Sequence, residues 1–112
     1  GKAVCPGVKI LRGIPLKRSM RWTDYIQLPR LDIEGQEWTV ERQIFKMMEE
    51  LGEVSQAFYK ENGLDKMAAE ALDFVQTGVT LLYMLEAQGV DVDSIFDAFM
   101  SKLGQRGYLK VV

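Results

Sequence analysis

Two long segments with helical periodicity, joined by a very short connection, constrain the fold of this chain more than any other feature. Apolar residues recur every three or four positions from Trp38 to Lys60 and again from Asp65 to Leu85, which is the period of an α-helix with one buried face. Asn62-Gly63 separates the segments, and glycine readily adopts the conformation that closes a helix. Because short connections place consecutive helices side by side, we expect an antiparallel helical hairpin.

Polar residues predict where the helices begin. Thr39 is expected to cap the first helix and Asp65 the second, because their side-chain oxygens accept hydrogen bonds from free backbone N–H groups. Asp91 or Asp93 is expected to cap a third helix, which ends at the glycines that follow Leu103. The segments therefore predict three helices in one domain.

Residues 79–85 of the second helix are apolar almost all round. A helix that is apolar on more than one face needs more than one packing partner, so this segment predicts contacts between subunits. We therefore expect an all-α fold, an antiparallel helical bundle completed by homo-oligomerisation as a homodimer or homotetramer.

The N-terminal third has a different composition from the rest. Residues 1–23 contain six basic and no acidic residues, interrupted by proline and glycine. We divide the chain into a basic, irregular segment, residues 1–36, and a helical domain, residues 37–112. Met20 is a candidate start of the natural protein.

Composition limits the classes of function. The net charge of −2 gives no general signature of binding to nucleic acid or membrane, and no apolar run approaches the roughly 20 residues that span a bilayer. Cys5 is the only cysteine, which favours a reducing, cytoplasmic location.

Two pairs of acidic residues interrupt the apolar faces of the long helices. The first lies in Glu49-Glu50-Leu51-Gly52-Glu53 and the second in Glu70-Ala71-Leu72-Asp73. Residues three apart share one side of a helix, so each pair directs its oxygens the same way. Because both pairs are at similar distances from the turn, antiparallel packing brings them within about one helical turn of each other.

Carboxylates gathered at a half-buried surface repel one another and resist desolvation, and a divalent cation relieves both problems. The chain contains no histidine, which excludes imidazole ligands, histidine-based triads and the Glu-x-x-His motif of di-iron bundles. Oxygen-only ligands favour a hard ion, Mg²⁺ first and Mn²⁺ second. A solvated acidic face without an ion is the alternative.

The acidic pattern resembles that of the MazG-like, all-α nucleoside triphosphate pyrophosphohydrolases, whose signature is Glu-Glu-x-x-Glu on one helix and Glu-x-x-Asp on the next. The resemblance covers about residues 38–88 and includes the glycine before the third glutamate. It implies hydrolysis of a nucleoside triphosphate between its α- and β-phosphates, giving a monophosphate and pyrophosphate. The implied Mg²⁺ ligands are Glu50, Glu53, Glu70 and Asp73. Either Glu49 or Glu53 is expected to orient or deprotonate the attacking water.

The resemblance also implies contacts with the substrate. Family members place aromatic and basic side chains after the first acidic motif and near the C-terminus, for base stacking and phosphate contact. The corresponding residues here are Trp38, Phe58, Tyr59, Lys60, Lys102, Arg106 and Tyr108. A packing role at the helix start remains open for Trp38, as does an ordinary helix end for Phe58.

Two other functions remain open at this point. A phosphoribosyl-ATP pyrophosphohydrolase has the same fold and a related reaction. A non-catalytic helical interaction module would use the acids only as a solvated face, with the basic N-terminal segment binding an acidic partner. The leading interpretation has a nucleoside triphosphate as its partner, and neither nucleic acid nor membrane.

Overall fold

A computed structural model describes residues 21–32 and 38–109, and this part of the chain is all-α. A 3-10 turn, Trp22–Asp24, precedes three helices: α1 (Val40–Tyr59), α2 (Leu64–Ala87) and α3 (Val92–Gln105). The predicted all-α class and the three helices are confirmed. The predictions for residues 1–20 and for the last three residues lie outside the described residues.

The chain divides into two compact units. One contains the described residues between 28 and 90, and therefore α1 and α2, which pack against each other. The other contains residues 21–27 and 91–109, in which the 3-10 turn contacts α3.

The N-terminus of α1 is the predicted one, but that of α2 is not. The Thr39 hydroxyl oxygen accepts a hydrogen bond from the Arg42 backbone N–H at 3.0 Å, which confirms the predicted cap. Helix α2 begins at Leu64, so the prediction that Asp65 is its cap was wrong. The reason is Gly63, whose φ of 95° turns the chain directly into the helix. Asp65 instead lies in the first turn, where its negative charge interacts favourably with the helix dipole.

Helix α1 carries two stripes where the sequence suggested a single apolar face. The inner stripe, which is buried or half-buried, consists of Val40, Gln43, Met47, Glu50, Val54 and Ala57. The outer, exposed stripe consists of Ile44, Met48, Leu51 and Phe58. The outer stripe is well exposed, with 63% of Met48 and 51% of Leu51 accessible to solvent. Periodicity alone did not separate them because both repeat at intervals of three and four residues.

Gln43 joins α1 to α2 through a buried hydrogen bond. Its side chain is 2% exposed, and its Nε2 donates to the Thr77 carbonyl oxygen at 2.8 Å. Its Oε1 accepts a hydrogen bond from the Trp38 indole N–H. Both polar ends of this buried amide are thereby satisfied, which is the condition for burying it without a large cost.

The segment predicted to be apolar almost all round, residues 79–85, is buried or half-buried. Residues 28–32 run beside α2, with the Gln76 side-chain amide donating to the Pro29 carbonyl at 3.0 Å. The Arg30 guanidinium also lies over the Tyr83 ring, 5.3 Å from its centre. The predicted oligomer remains a prediction, and none of residues 79–85 is among the large apolar side chains that are well exposed.

The second unit is built on α3. Asp91, one of the two predicted caps, accepts hydrogen bonds from the Ser94 backbone N–H at 3.1 Å and from its hydroxyl at 2.7 Å. Asp93 has a different role, because its carboxylate accepts a hydrogen bond from the Trp22 backbone N–H at 2.8 Å. The Tyr25 and Phe96 rings pack with their centres 5.0 Å apart. Among the helices of the described residues, none combines the length and the apolar character needed to cross a bilayer.

Candidate metal centre

The register of the helical hairpin brings the two acidic motifs together. Glu50 follows Gln43 by seven residues along α1, and Glu70 precedes Thr77 by seven residues along α2. Seven residues make two helical turns, about 10.5 Å, so the two glutamates lie equally far from the Gln43–Thr77 hydrogen bond. Since the helices are antiparallel, this bond places Glu50 opposite Glu70.

Three carboxylates meet at this level of the hairpin. One oxygen from each of Glu50, Glu70 and Asp73 lies within 4.8 Å of the other two. Glu50 is 9% exposed and Glu70 is 7% exposed, whereas Asp73 is exposed to solvent. The prediction that Glu50 and Glu70 lie on the buried face is confirmed, as is the meeting of the two motifs. The cluster is therefore buried at Glu50 and Glu70 and open to solvent at Asp73.

A lysine one turn earlier pairs with each buried glutamate. Lys46 Nζ lies 3.1 Å from Glu50 Oε2 and 3.2 Å from Glu49 Oε1, and Lys66 Nζ lies 2.9 Å from Glu70 Oε2. A helix brings i,i+3 pairs such as Lys46–Glu49 and i,i+4 pairs such as Lys46–Glu50 and Lys66–Glu70 within reach. They supply positive charge to carboxylates that would otherwise repel one another at the helix interface.

Hydrogen bonds in these pairs shift the pKa values of Glu70, Lys66 and Lys46. The hydrogen bond from Lys66 lowers the pKa of the Glu70 carboxyl below its ordinary value, and a side-chain hydrogen bond with Asp73 acts in the same direction, while burial opposes both. The bond to Glu70 raises the pKa of Lys66. Hydrogen bonds to Glu50 and then to Glu49 raise the pKa of Lys46. The charged forms of Glu70, Lys66 and Lys46 are therefore favoured.

The donor set suits a hard divalent cation. Oxygens around an octahedral ion at about 2.1 Å are about 3 to 4 Å apart, so the separations of up to 4.8 Å need only small side-chain rotations. The exposed side at Asp73 leaves room for water or substrate oxygens. A metal ion fits this cluster, although its identity is set only by the preference of carboxylate oxygens for ions such as Mg²⁺.

The two remaining acids of the first motif lie outside this cluster. Glu49 has 62% of its side chain exposed and pairs with Lys46. Glu53 is exposed and is not one of the three acids whose oxygens converge. Its charge contributes to the raised pKa of Lys66, which places it in the same electrostatic neighbourhood. The roles predicted for Glu49 in catalysis, and for Glu53 in catalysis and as a ligand, stay predictions.

A cavity of about 340 Å³ lies beside the cluster, lined by Trp38, Arg42, Phe45, Lys46 and Glu49. The Arg42 guanidinium lies over the Trp38 ring, 5.4 Å from its centre. Of the predicted substrate residues, Trp38 therefore lines a cavity. Lys46 lines the same cavity and also pairs with Glu50 of the acidic cluster.

The other predicted substrate residues are all exposed. Phe58 and Tyr59 lie at the end of α1 with their rings edge to face, 5.2 Å between centres, and Lys60 is the C-cap of the helix. In the second unit lie Lys102, Arg106 and Tyr108. Their contacts with substrate stay predictions.

Sequence reasoning missed three residues that shape the site, namely Gln43, Lys46 and Lys66. The lysines had a detectable signal, because each stands four residues before an acid on the buried face. Gln43 had a weaker one, a polar residue spaced seven positions from Glu50.

The chain was compared with models of protein families, with curated proteins and with solved structures, and none of them matches.

Proposed function

We propose that this chain is a Mg²⁺-dependent nucleoside triphosphate pyrophosphohydrolase, a cytoplasmic enzyme of the MazG-like all-α type. The observation that carries the proposal is the convergence of Glu50, Glu70 and Asp73 from two antiparallel helices, with oxygens within 4.8 Å. Two of these acids are buried, where a charge is costly unless it is paired or coordinates a metal. The motif that contains them is the one that resembles this family.

The three convergent carboxylates, with Glu53 as the fourth ligand, are the residues that would hold the ion. When bound, Mg²⁺ supplies the Lewis acidity that favours attack of water on the α-phosphorus and neutralises charge on the departing pyrophosphate. Either Glu49 or Glu53 orients the attacking water and accepts its proton. The exposure of both glutamates is compatible with contact to a solvent water.

The proposed nucleotide contacts are aromatic and basic side chains. Trp38 lies in the cavity beside the cluster, and the adjacent rings of Phe58 and Tyr59 offer exposed aromatic surface for a base. The resemblance further implies phosphate contacts by Lys60, Lys102 and Arg106.

We propose that the enzyme works as a homodimer or homotetramer. The outer stripe of α1 leaves large apolar side chains in water, and an apolar groove of about 320 Å³ is lined by Ile44, Met47, Met48, Leu51, Phe74 and Leu81. Monomeric proteins rarely expose contiguous apolar surface of this kind. A second hairpin packed on the stripe completes the helical bundle.

Pyrophosphate release from a panel of nucleoside triphosphates, with phosphoribosyl-ATP included, tests the proposal. Glu50→Gln and Asp73→Asn should each reduce the Mg²⁺-dependent rate by at least about a hundredfold, because a ligand contributes more than the outer-sphere groups whose loss costs 10- to 100-fold. Glu41→Gln, an acid in the first turn of α1, is the matched control and should keep the wild-type rate.

The outcomes separate the three functions. Unchanged activity in both ligand variants contradicts the site, and cleavage of phosphoribosyl-ATP alone identifies the related enzyme. If no substrate is cleaved, the result contradicts the proposed hydrolysis and favours the helical interaction module.

A further inference from the structure

Lys46 lies at the junction between the acidic cluster and the neighbouring cavity. Its ammonium is 3.1 Å from Glu50 Oε2, one of the buried carboxylates, and its side chain also lines the cavity with Trp38, Arg42 and Phe45. The side chain is 44% exposed. A lysine on a flexible four-carbon stem can therefore move its charge between the two places without any change in the backbone.

A divalent cation at the cluster and the Lys46 ammonium compete for the same carboxylate. Glu50 Oε2 already accepts the ammonium, and a cation bound to Glu50 takes over that negative charge. A double and a single positive charge about 5 Å apart repel even in water, and this repulsion corresponds to about a tenfold loss in cation affinity. Binding of a cation would therefore drive the ammonium away from Glu50.

The cavity is suited to receive the displaced charge and a phosphate. Its lining carries two basic side chains, Arg42 and Lys46, against one acid, Glu49, and it offers the aromatic rings of Trp38 and Phe45. At about 340 Å³ it falls within the usual size of small-ligand sites. Phosphate oxygens are favourable partners for an ammonium and a guanidinium on the same helix face.

We propose that Lys46 is an internal counter-ion of Glu50 that a divalent cation displaces, and that its ammonium then binds phosphate oxygens of a nucleotide in this cavity. The inference rests on the proposed function, and it adds a substrate-binding residue that also makes anion binding depend on prior cation binding. Lys66 provides the comparison: it pairs with Glu70 at 2.9 Å in the same i,i+4 geometry but is not among the residues that line the cavity.

Calorimetric titrations of Lys46→Met and Lys66→Met test this inference. The first titration uses MgCl₂ alone, and the second uses a non-hydrolysable α,β-methylene nucleoside triphosphate with Mg²⁺ at saturation. Lys46→Met should bind Mg²⁺ about tenfold more tightly, because the competing charge is gone. It should bind the triphosphate analogue about tenfold more weakly, because a charge-assisted hydrogen bond is lost. Lys66→Met should also bind Mg²⁺ more tightly but should bind the analogue as the wild type does.

Opposite effects on the two affinities distinguish this role from a structural one. Because both lysines are exposed and methionine is a good helix former, the two methionine variants should fold. Lys46→Arg keeps the positive charge and should retain analogue binding. The inference is overturned if Lys46→Met leaves the Mg²⁺ affinity unchanged, or if the two methionine variants weaken analogue binding equally. If the wild type cleaves triphosphates but the affinities of the lysine variants contradict the role of Lys46, the proposed function stands and only this inference is lost. If the wild type binds no Mg²⁺, the metal centre itself is wrong.

Discussion

The substitution Gln43→Glu tests the contact that sets the register of the hairpin. The change keeps the shape of the side chain but replaces the amide nitrogen that donates to the Thr77 carbonyl at 2.8 Å. An ionised carboxylate at this position faces a carbonyl oxygen in a site that is 2% exposed. Both burial and this contact disfavour the charged form, so the pKa of the new carboxyl should lie well above its usual range.

The expected cost follows from that shift. A rise of about two pKa units makes the variant less stable by about 2.7 kcal/mol at pH 7. The penalty should nearly vanish at pH 4, where the protonated carboxyl again donates to Thr77. Because folding raises the pKa of this carboxyl, the variant loses stability as the pH rises from the pKa of the unfolded state to that of the folded state. Gln56→Glu, an exposed position on the same helix, is the control and should change stability by less than about 0.5 kcal/mol.

Urea unfolding at pH 4 and pH 7, followed by far-ultraviolet circular dichroism, measures both penalties. All proteins must be compared at one concentration, because association changes the apparent stability. Equal penalties for Gln43→Glu at the two pH values would refute the reasoning. So would a penalty at pH 7 as small as that of the control, which would mean that Gln43 lies in a hydrated site.

Two further predictions concern the outer surface and the second unit. Gly52→Ala should raise the free energy of unfolding by about 0.5–1 kcal/mol in urea, because a methyl group there meets nothing within 4 Å and alanine favours the helix; a loss of stability would show instead that another copy approaches α1 at this point. Hydrogen bonds from Ser94, first from its hydroxyl and then from its backbone N–H, lower the pKa of Asp91 below 3.8, so its stabilising effect is present above that pH and is lost as the pH falls. Asp91→Asn keeps an N-cap but does not titrate, and its urea midpoint should therefore fall less than that of the wild type between pH 5 and pH 3; an identical fall in both proteins would contradict this.

The sequence was sufficient to predict the hairpin and most of the acidic cluster. Periodicity and the short Asn62-Gly63 turn predict that α1 and α2 are antiparallel, and the similar distances of the motifs from the turn bring Glu50 and Glu70 together on the inner face. The failure at Asp65 is local, because a glycine with positive φ started the helix without a side-chain cap.

The sequence could not predict the division of α1 into two stripes, for a physical reason. Hydrophobicity predicts that a side chain leaves water but does not say which neighbour covers it. Gln43 is buried because the Thr77 carbonyl and the Trp38 indole satisfy its amide, whereas the more apolar Met48 is exposed. Only the three-dimensional register shows that the polar residue faces α2 and the apolar residue faces away from it.

The position of water attack tests the central claim most directly. The wild type would be incubated with Mg²⁺ and a nucleoside triphosphate in ¹⁸O-labelled water, and the products analysed by ³¹P nuclear magnetic resonance. Metal-assisted attack at the α-phosphorus predicts equal amounts of monophosphate and pyrophosphate, with the label in the monophosphate alone. The Asp73→Asn variant should give almost no product. Label in inorganic phosphate or pyrophosphate, or no hydrolysis of any triphosphate with Mg²⁺ bound, would contradict the account.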